Sequence, residues 1–341
     1  MPGVPVYISH PSSLAHDTGA HPERAARISA IEAELDGCGW LGFDRIESPA
    51  VARDVLEAIH PVRYIDWVHE SSSSPTYLDP DTMAGPGSFE AALHGAGGAV
   101  RLVELLLEGS APSGFSVHRP PGHHAEATRA MGFCLFNNVA VAARHALDRG
   151  GLDRVLIFDW DVHHGNGTND IFHSSRQVVY VSIHQSPLYP GTGPAGDIGT
   201  GEGTGFTVNL PVAPGAGDED FRSLVDHVVV PLARSFEPQL ILISAGYDAH
   251  REDPLANCLV TDEGFRAMAA ATTTVAAELD APVGCVLEGG YALEPLARGV
   301  AGTMQVLADR RLAHAERVPL VPLAAEARTR LSQWWPALSS G

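Results

Sequence analysis

The sequence predicts an α/β protein: a single large domain with a central parallel sheet, helices on both faces, and an active site at the C-terminal ends of the strands. Three observations lead there. Short apolar runs alternate with segments of three-to-four apolar spacing along most of the chain, the pattern of strand-helix-strand units. Titratable and aromatic side chains gather just after the apolar runs, where open parallel sheets bind their ligands. The 341 residues are 45% hydrophobic, enough to fill one core of this size, and neither a linker nor an internal repeat divides them.

Taken in order, strands are expected at 4–8, 114–117, 155–158, 178–183, 240–244 and 283–287. Each is a short apolar run, as strands buried on both faces require. Helices are expected at 88–107, 138–147, 218–236 and 261–279, where apolar residues recur every three or four positions. The stretch 70–87 is rich in Ser, Pro, Asp and Gly and reads as a long surface loop, and 187–205, rich in Gly and Thr, as a second. The core spans about 5–308. The remainder, 309–341, is expected to form a helix and an extended arm over the body, with Trp334 and Trp335 as packing groups.

Composition narrows the function. Forty-one acidic against 22 basic residues leave a formal charge of -19, which repels nucleic-acid phosphates and anionic membranes. All the basic residues are arginine, which reads as the mark of a GC-rich genome. The four cysteines, Cys38, Cys134, Cys258 and Cys285, form no Cys-x-x-Cys pair, so neither a zinc ribbon nor a disulfide framework is indicated. No stretch is long and apolar enough to span a membrane, and the N-terminus lacks the pattern of a signal peptide, so a cytoplasmic setting is expected.

The chemistry concentrates at Phe158-Asp159-Trp160-Asp161-Val162-His163-His164-Gly165-Asn166-Gly167. Alternate side chains of an extended segment share a face, so Asp161 and His163 can point at one ion, although such pairs also occur as hydrogen-bonded side chains. By the same rule Asp159 would join them. Asp248, after the run at 240–244, can supply a third ligand and leave an open position, as catalytic zinc sites do. This oxygen-rich set also suits Fe(II). His123 and His124 stand in Arg119-Pro-Pro-Gly-His-His124 and suit proton transfer to and from water. Tyr291, after two glycines, can donate its hydroxyl to a developing oxyanion.

Several motifs recur together: His21-Pro22-Glu23-Arg24, the run 119–124, Gly132-Phe133-Cys134, Asn137-Asn138-Val139-Ala140, 159–168, Ser244-Ala245-Gly246-Tyr247-Asp248 and Glu288-Gly289-Gly290-Tyr291. On these residues the chain resembles the histone deacetylase-type zinc amidohydrolases of the arginase-deacetylase fold. It is most similar to their class II and acetylpolyamine amidohydrolase branch.

The resemblance implies metal-assisted hydrolysis of a linear N-acyl amide. Asp161, His163 and Asp248 would hold Zn2+, with Fe2+ or Co2+ as alternatives. His124 would be the general base and then acid, His123 its electrostatic partner, and Tyr291 the oxyanion donor. Asp159 and Asn166 would orient His123 and His124 rather than bind the ion, which corrects the period-two reading of Asp159. Structural K+ would sit on backbone carbonyls of Asp159, Asp161, His163, Ser182 and Ile183. Gly132, Phe133 and Tyr189 would line an acyl-lysine tunnel, with Arg24 behind the metal. At the segment where relatives clamp the substrate backbone, alignment on Pro86 puts Ala84-Gly85, which offers no side-chain acceptor.

The resemblance implies a small-molecule or peptide N-acyl amine as the substrate. Polyamine-selective relatives carry a glutamate at the tunnel mouth where this chain has Leu255, so acyl-lysine is expected ahead of acetylated polyamines. A ureohydrolase would need a second metal site, and a silent acyl-lysine reader would lack Tyr291 or one of the paired histidines. Relatives vary in assembly, so a homo-oligomer stays open.

Overall fold

The computed structural model describes residues 3–309 and 318–339. Its strands are β1 (Val6–Ser9), β2 (Asp44–Glu47), β3 (Thr76–Tyr77), β4 (Met83–Ala84), β5 (Ser113–Ser116), β6 (Val155–Asp159), β7 (Val178–Gln185), β8 (Thr207–Val212), β9 (Leu240–Ala245) and β10 (Val283–Leu287). The helices are α1 (Ser12–Ala15), α2 (Ala26–Gly37), α3 (Arg53–Leu56), α4 (Val62–Ser71), α5 (Ser88–Leu107), α6 (Asn138–Asp148), α7 (Asn166–Phe172), α8 (Asp218–Leu224), α9 (Val230–Phe236), α10 (Asp262–Glu278), α11 (Leu293–Ala308) and α12 (Pro322–Leu331).

Eight strands form one parallel sheet in the order β2-β1-β5-β10-β9-β6-β7-β8. Successive residues of its strands feed opposite cores. Val155 and Ile157 pack with α3 to α6, whereas Leu156 and Phe158 pack with α2 and α8 to α12. This two-sided burial is why the central strands read as unbroken apolar runs. Register then levels the strand ends: Asp159 lies opposite Ser182 on β7 and Ser244 on β9, and Leu287 lies opposite Ala245.

Two expectations change and two are refined. Strands β2 and β8 gave no apolar run because both are edges: β2 is Asp-Arg-Ile-Glu, and β8 contains Asn209 and Pro211, tolerated where a ladder partner is missing. The supposed loop 70–87 begins as the last turn of α4 and contains the antiparallel β3–β4 hairpin. The helix expected at 218–236 runs over those residues but contains a π-helical turn at Val225–Val229, just before Pro231, whose missing N–H cannot close the regular ladder. The tail contains the expected helix, α12, and adds a 3₁₀ turn, Pro336–Leu338. Its parts at 310–317 and 340–341 lie outside the described residues. Trp335 is buried against Phe206 and Phe236 and donates its indole N–H to Gly205 O at 2.8 Å.

A buried ionic group locks the N-terminal segment to the sheet. Glu23 accepts from Arg119 through both carboxylate oxygens, with Nη2 to Oε2 at 2.7 Å, and from Arg27 Nη1 at 3.3 Å. Arg119 also donates to Ser13 O at 2.6 Å, and Arg27 donates to Gly290 O at 2.7 Å and Glu288 O at 2.5 Å. Burial alone would raise the Glu23 carboxyl, but Arg119 foremost outweighs it and holds the pKa down at about 2. Replacing Glu23 with Gln leaves two guanidiniums without their carboxylate and is expected to cost about 3–5 kcal/mol of stability. Because the folded pKa is depressed, this stabilisation is complete above the unfolded value near 4.5 and is lost as pH falls towards about 2. The stability gap between parent and Glu23→Gln in denaturant titrations should therefore close across that window, by about 3.5 kcal/mol at roughly 1.4 kcal/mol per pKa unit.

Candidate active site

The four central neighbours β5, β10, β9 and β6 deliver the site. His123 and His124 follow β5, Tyr291 follows β10, Asp248 follows β9, and Asp161 and His163 follow β6. Asp161, His163 and Asp248 are buried together, with one ligand atom from each lying within 4.8 Å of the others. His163 Nδ1 lies 3.2 Å from Asp161 Oδ1 and 3.1 Å from Asp248 Oδ2. Backbone amides aim the carboxylates: Gly289 N–H donates to Asp161 Oδ2 at 2.8 Å, and Val162 N–H donates to Asp248 Oδ1 at 2.9 Å. A Cβ on Gly289 would lie 2.1 Å from Asp248 Oδ2, so only glycine lets the β10 loop close over this group.

The donor set fits a divalent cation. Burial pushes the Asp248 carboxyl up, and the neighbouring Asp161 charge adds to that. Burial would likewise lower the His163 imidazole, but Asp248 and Asp161 overcome it and raise it to about 10. Two buried carboxylates this close call for positive charge between them. Two oxygens and one nitrogen with a place left open match the ligand count of catalytic zinc or ferrous sites.

The paired histidines differ. His123 Nδ1 lies 3.0 Å from Asp159 Oδ2, which also accepts from the Tyr180 hydroxyl at 2.9 Å. Burial opposes its protonation, but Asp161 and Asp159 prevail and raise its pKa to about 10. His124 Nδ1 lies 2.9 Å from the amide oxygen of Asn166. Burial, then the charges of His123 and His163, push its pKa well below the ordinary value. The neighbouring carboxylates thus favour the proton on one ring while burial disfavours it on the other, 4.1 Å away between centroids.

A cavity of 210 Å³ opens above this floor, lined by His124, His163, Gly132, Phe133, Leu188, Tyr189, Leu255, Tyr291 and Asp81. Phe133 meets Tyr291 edge-on at 5.6 Å, and Tyr189 meets His124 edge-on at 5.2 Å. Gly132 has φ of 55°, and a Cβ there would lie 2.3 Å from His124 Cδ2, so glycine allows the wall to touch the imidazole. Tyr291 is buried, which raises its phenol well above the ordinary value even with Arg27 5.0 Å from its ring, so it remains a hydrogen donor. Ser182 and Ile183 lie on β7, beside the end of β6.

Two expectations are corrected. Arg24 is exposed, and the buried arginine behind Tyr291 is Arg27, which reaches inward as the i+4 partner of Glu23. The spacing Glu23-x-x-x-Arg27 was the available signal. At the mouth, Ala84 is buried in β4, and the residue facing the cavity is Asp81, within the β3–β4 turn. Burial and Asp79 push Asp81 up to about 6.

Two supporting residues carried no role in the sequence reading. Glu288 accepts from Gly122 N–H at 2.7 Å, His123 N–H at 3.0 Å and Ser244 Oγ at 3.2 Å, fixing the histidine loop against β10. Asp253 accepts from Tyr291 N–H at 2.6 Å and Leu255 N–H at 3.0 Å, joining two walls of the cavity. Both are carboxylates that accept only backbone or hydroxyl hydrogens here, and spacing alone gives no sign of that.

The chain is similar to known proteins over most of its length. The histone deacetylase domain model matches residues 21–307. A histone deacetylase-like amidohydrolase of Pseudomonas aeruginosa is 38% identical over 291 residues, covering 84% of this chain and 75% of its own. Histone deacetylase 14, chloroplastic, of Arabidopsis thaliana is 38% identical over 325 residues, covering 87% of this chain and 75% of its own. Among solved structures, the HDA15 HD domain is similar over 98% of both chains, with a TM-score of 0.89 and 35% identity.

The donor geometry predicts that the purified protein holds about one divalent ion per chain, and that Asp248→Ala, which leaves two donors, loses it. Elemental analysis after extensive dialysis checks this; an unchanged metal content in the variant would rule out Asp248 as a ligand.

Proposed function

The chain belongs to the histone deacetylase domain family, and from that membership we propose that it hydrolyses N-acyl-lysine or a similar N-acyl amine with a zinc ion held by Asp161, His163 and Asp248. The observation that carries the reading is that His124 and Tyr291 face one cavity above a buried Asp-His-Asp group, where burial pushes the imidazole's pKa down and the phenol's up. When bound, the ion supplies Lewis acidity, polarising the acyl carbonyl and making water acidic enough to lose a proton near neutral pH. Iron(II) and cobalt(II) suit the same donors.

The chain's own residues carry the proton transfers. Phe133 and Tyr189 flank the acyl chain and exclude water. His124 accepts the proton of the attacking water, and the cationic His123 beside it stabilises the negative charge that develops. Tyr291 donates its hydroxyl to the tetrahedral oxyanion, and Asp253 and Arg27 keep that ring in place. His124 then returns its proton to the departing nitrogen, so the C–N bond breaks to a carboxylic acid and an amine, and the acid's remaining proton passes to the amine, giving carboxylate and ammonium as products. No covalent intermediate is required. Asp81, at the mouth, offers an acceptor for the N–H groups of a peptide substrate. Structural K+ on the backbone carbonyls of Asp159, Asp161, His163, Ser182 and Ile183 and a cytoplasmic setting belong to the same reading. The four free thiols and the absence, among the described residues, of a helix long and apolar enough to cross a membrane accord with it.

Chelation is expected to abolish turnover, and zinc, cobalt or ferrous iron to restore it. Tyr291→Phe should keep metal and fold and lose about 10²–10³ in kcat on an unactivated acetyl-lysine peptide, the usual loss for one oxyanion donor. His124→Ala should lose at least as much. Parent-like rates in both variants would overturn the assigned roles.

Leu255 favours acyl-lysine over polyamine. It offers neither charge nor acceptor at the cavity wall, so a second ammonium held near it would lose hydration without compensation. The parent should show higher kcat/KM for an acetyl-lysine peptide than for acetylspermidine, and Leu255→Glu should move the ratio towards the polyamine. A parent preference for acetylspermidine would overturn the substrate assignment and leave the hydrolytic mechanism standing.

A further inference from the structure

We infer that Glu126 is a positioning residue that fixes the tautomer of His124 by orienting the side-chain amide of Asn166. The inference rests on the amide-hydrolase reading, in which His124 is the base. Asn166 opens α7 and is buried, so its amide has little freedom of place. Its Oδ1 lies 2.9 Å from His124 Nδ1, and its Nδ2 donates to Glu126 Oε1 at 2.9 Å. The weaker contacts of Nδ2 are Met131 Sδ at 3.3 Å and His124 O at 3.4 Å. Glu126 is itself held by a tight turn, with its N–H donating to Arg129 O at 3.0 Å and Arg129 N–H donating back at 3.4 Å. Glu126 and Asn166 both line a second cavity, of 280 Å³, beside the tunnel.

The argument follows from what each group can donate. A primary amide donates at one end and accepts at the other, whereas a carboxylate only accepts. Glu126 therefore draws the NH2 end of Asn166 towards itself, and a flipped amide would set oxygen against carboxylate. With Oδ1 turned to His124, Nδ1 must carry the imidazole proton, which leaves Nε2 free to accept one. Without Glu126 the amide can reverse, donate to Nδ1 and stabilise the other tautomer, whose protonated Nε2 cannot serve as a base. The Glu126 charge also polarises the amide towards His124 and favours the imidazolium formed during proton transfer. His123 needs no such device, because Asp159 meets it directly and a carboxylate has no wrong way round.

A double-mutant cycle tests this. Glu126→Leu, which fills similar space without an acceptor, should lower kcat about 10–100-fold, the usual loss for a partner that orients a functional histidine, with KM changed by less than about twofold. Glu126→Gln, which keeps the shape of the side chain and an acceptor but not the charge, should fall between Glu126→Leu and the parent; parent-like kcat in both variants overturns the inference. In an Asn166→Asp background there is no amide to orient, and Glu126 faces a like charge. There Glu126→Leu should cost nothing or raise kcat. Equal losses in both backgrounds would mark Glu126 as merely structural and overturn the inference, as would a loss confined to KM. Nitrogen-15 NMR of His124 reads the tautomer without turnover: the parent should show protonated Nδ1, and Glu126→Leu a shift towards protonated Nε2. An unchanged tautomer overturns the inference even if activity falls. A parent that hydrolyses no acyl amine defeats the proposed function instead, and the NMR comparison still decides the role of Glu126.

Discussion

Four carboxylates, Asp159, Asp161, Asp248 and Glu288, are buried together at the ends of three adjacent strands, and the rest of the site answers to that concentration of negative charge. Moving an ionised carboxylate out of water costs several kcal/mol unless hydrogen bonds and opposite charge replace its hydration. Backbone amides supply much of the replacement: those of Asp161 and His163 donate within the β6 loop, Val162 to Asp248, Gly289 to Asp161, and Gly122 and His123 to Glu288. Each of these amides belongs to a strand-end loop. Balancing the charge therefore shapes the loops, and the glycines among them allow the approach.

The same constraint separates two histidines that are neighbours in sequence. His123 faces a carboxylate that favours its protonation; His124 faces an amide, and burial pushes its pKa down. A proton-transferring ring beside an electrostatic partner needs the two pKa values pushed apart in this way, and burial alone would have lowered both. The difference comes from the partners each ring meets, one at the end of β6 and one at the start of α7.

The N-terminal segment braces the other side of the cavity. Glu23, Arg27 and Arg119 are fully buried, and their donors reach Ser13 O, Glu288 O and Gly290 O, so residues far apart in sequence fix the strand end that leads to Tyr291. A satisfied buried network of this kind is rigid, because any displacement leaves a charged group unpaired. Asp253 plays the smaller, parallel part for Leu255 and the Tyr291 backbone.

By itself the sequence determined the sheet, its two-sided helical cover and the strand ends where the chemistry collects, because apolar periodicity is local and survives in one dimension. It marked Asp161, His163, Asp248, His123, His124 and Tyr291 as residues of one place, since each follows a central strand. What local pattern could not carry was edge and partner. Strands β2 and β8 were invisible because an edge strand need not be apolar. The exchange of Arg24 for Arg27, and of Ala84-Gly85 for Asp81, turned on which way a helix and a hairpin face. The links from Glu288 to the histidine loop and from Glu126 to Asn166 join residues 165 and 40 positions apart. Only the tertiary structure decides such pairs, because a hydrogen bond depends on distance in space and direction, and sequence spacing fixes neither once the chain has crossed the sheet.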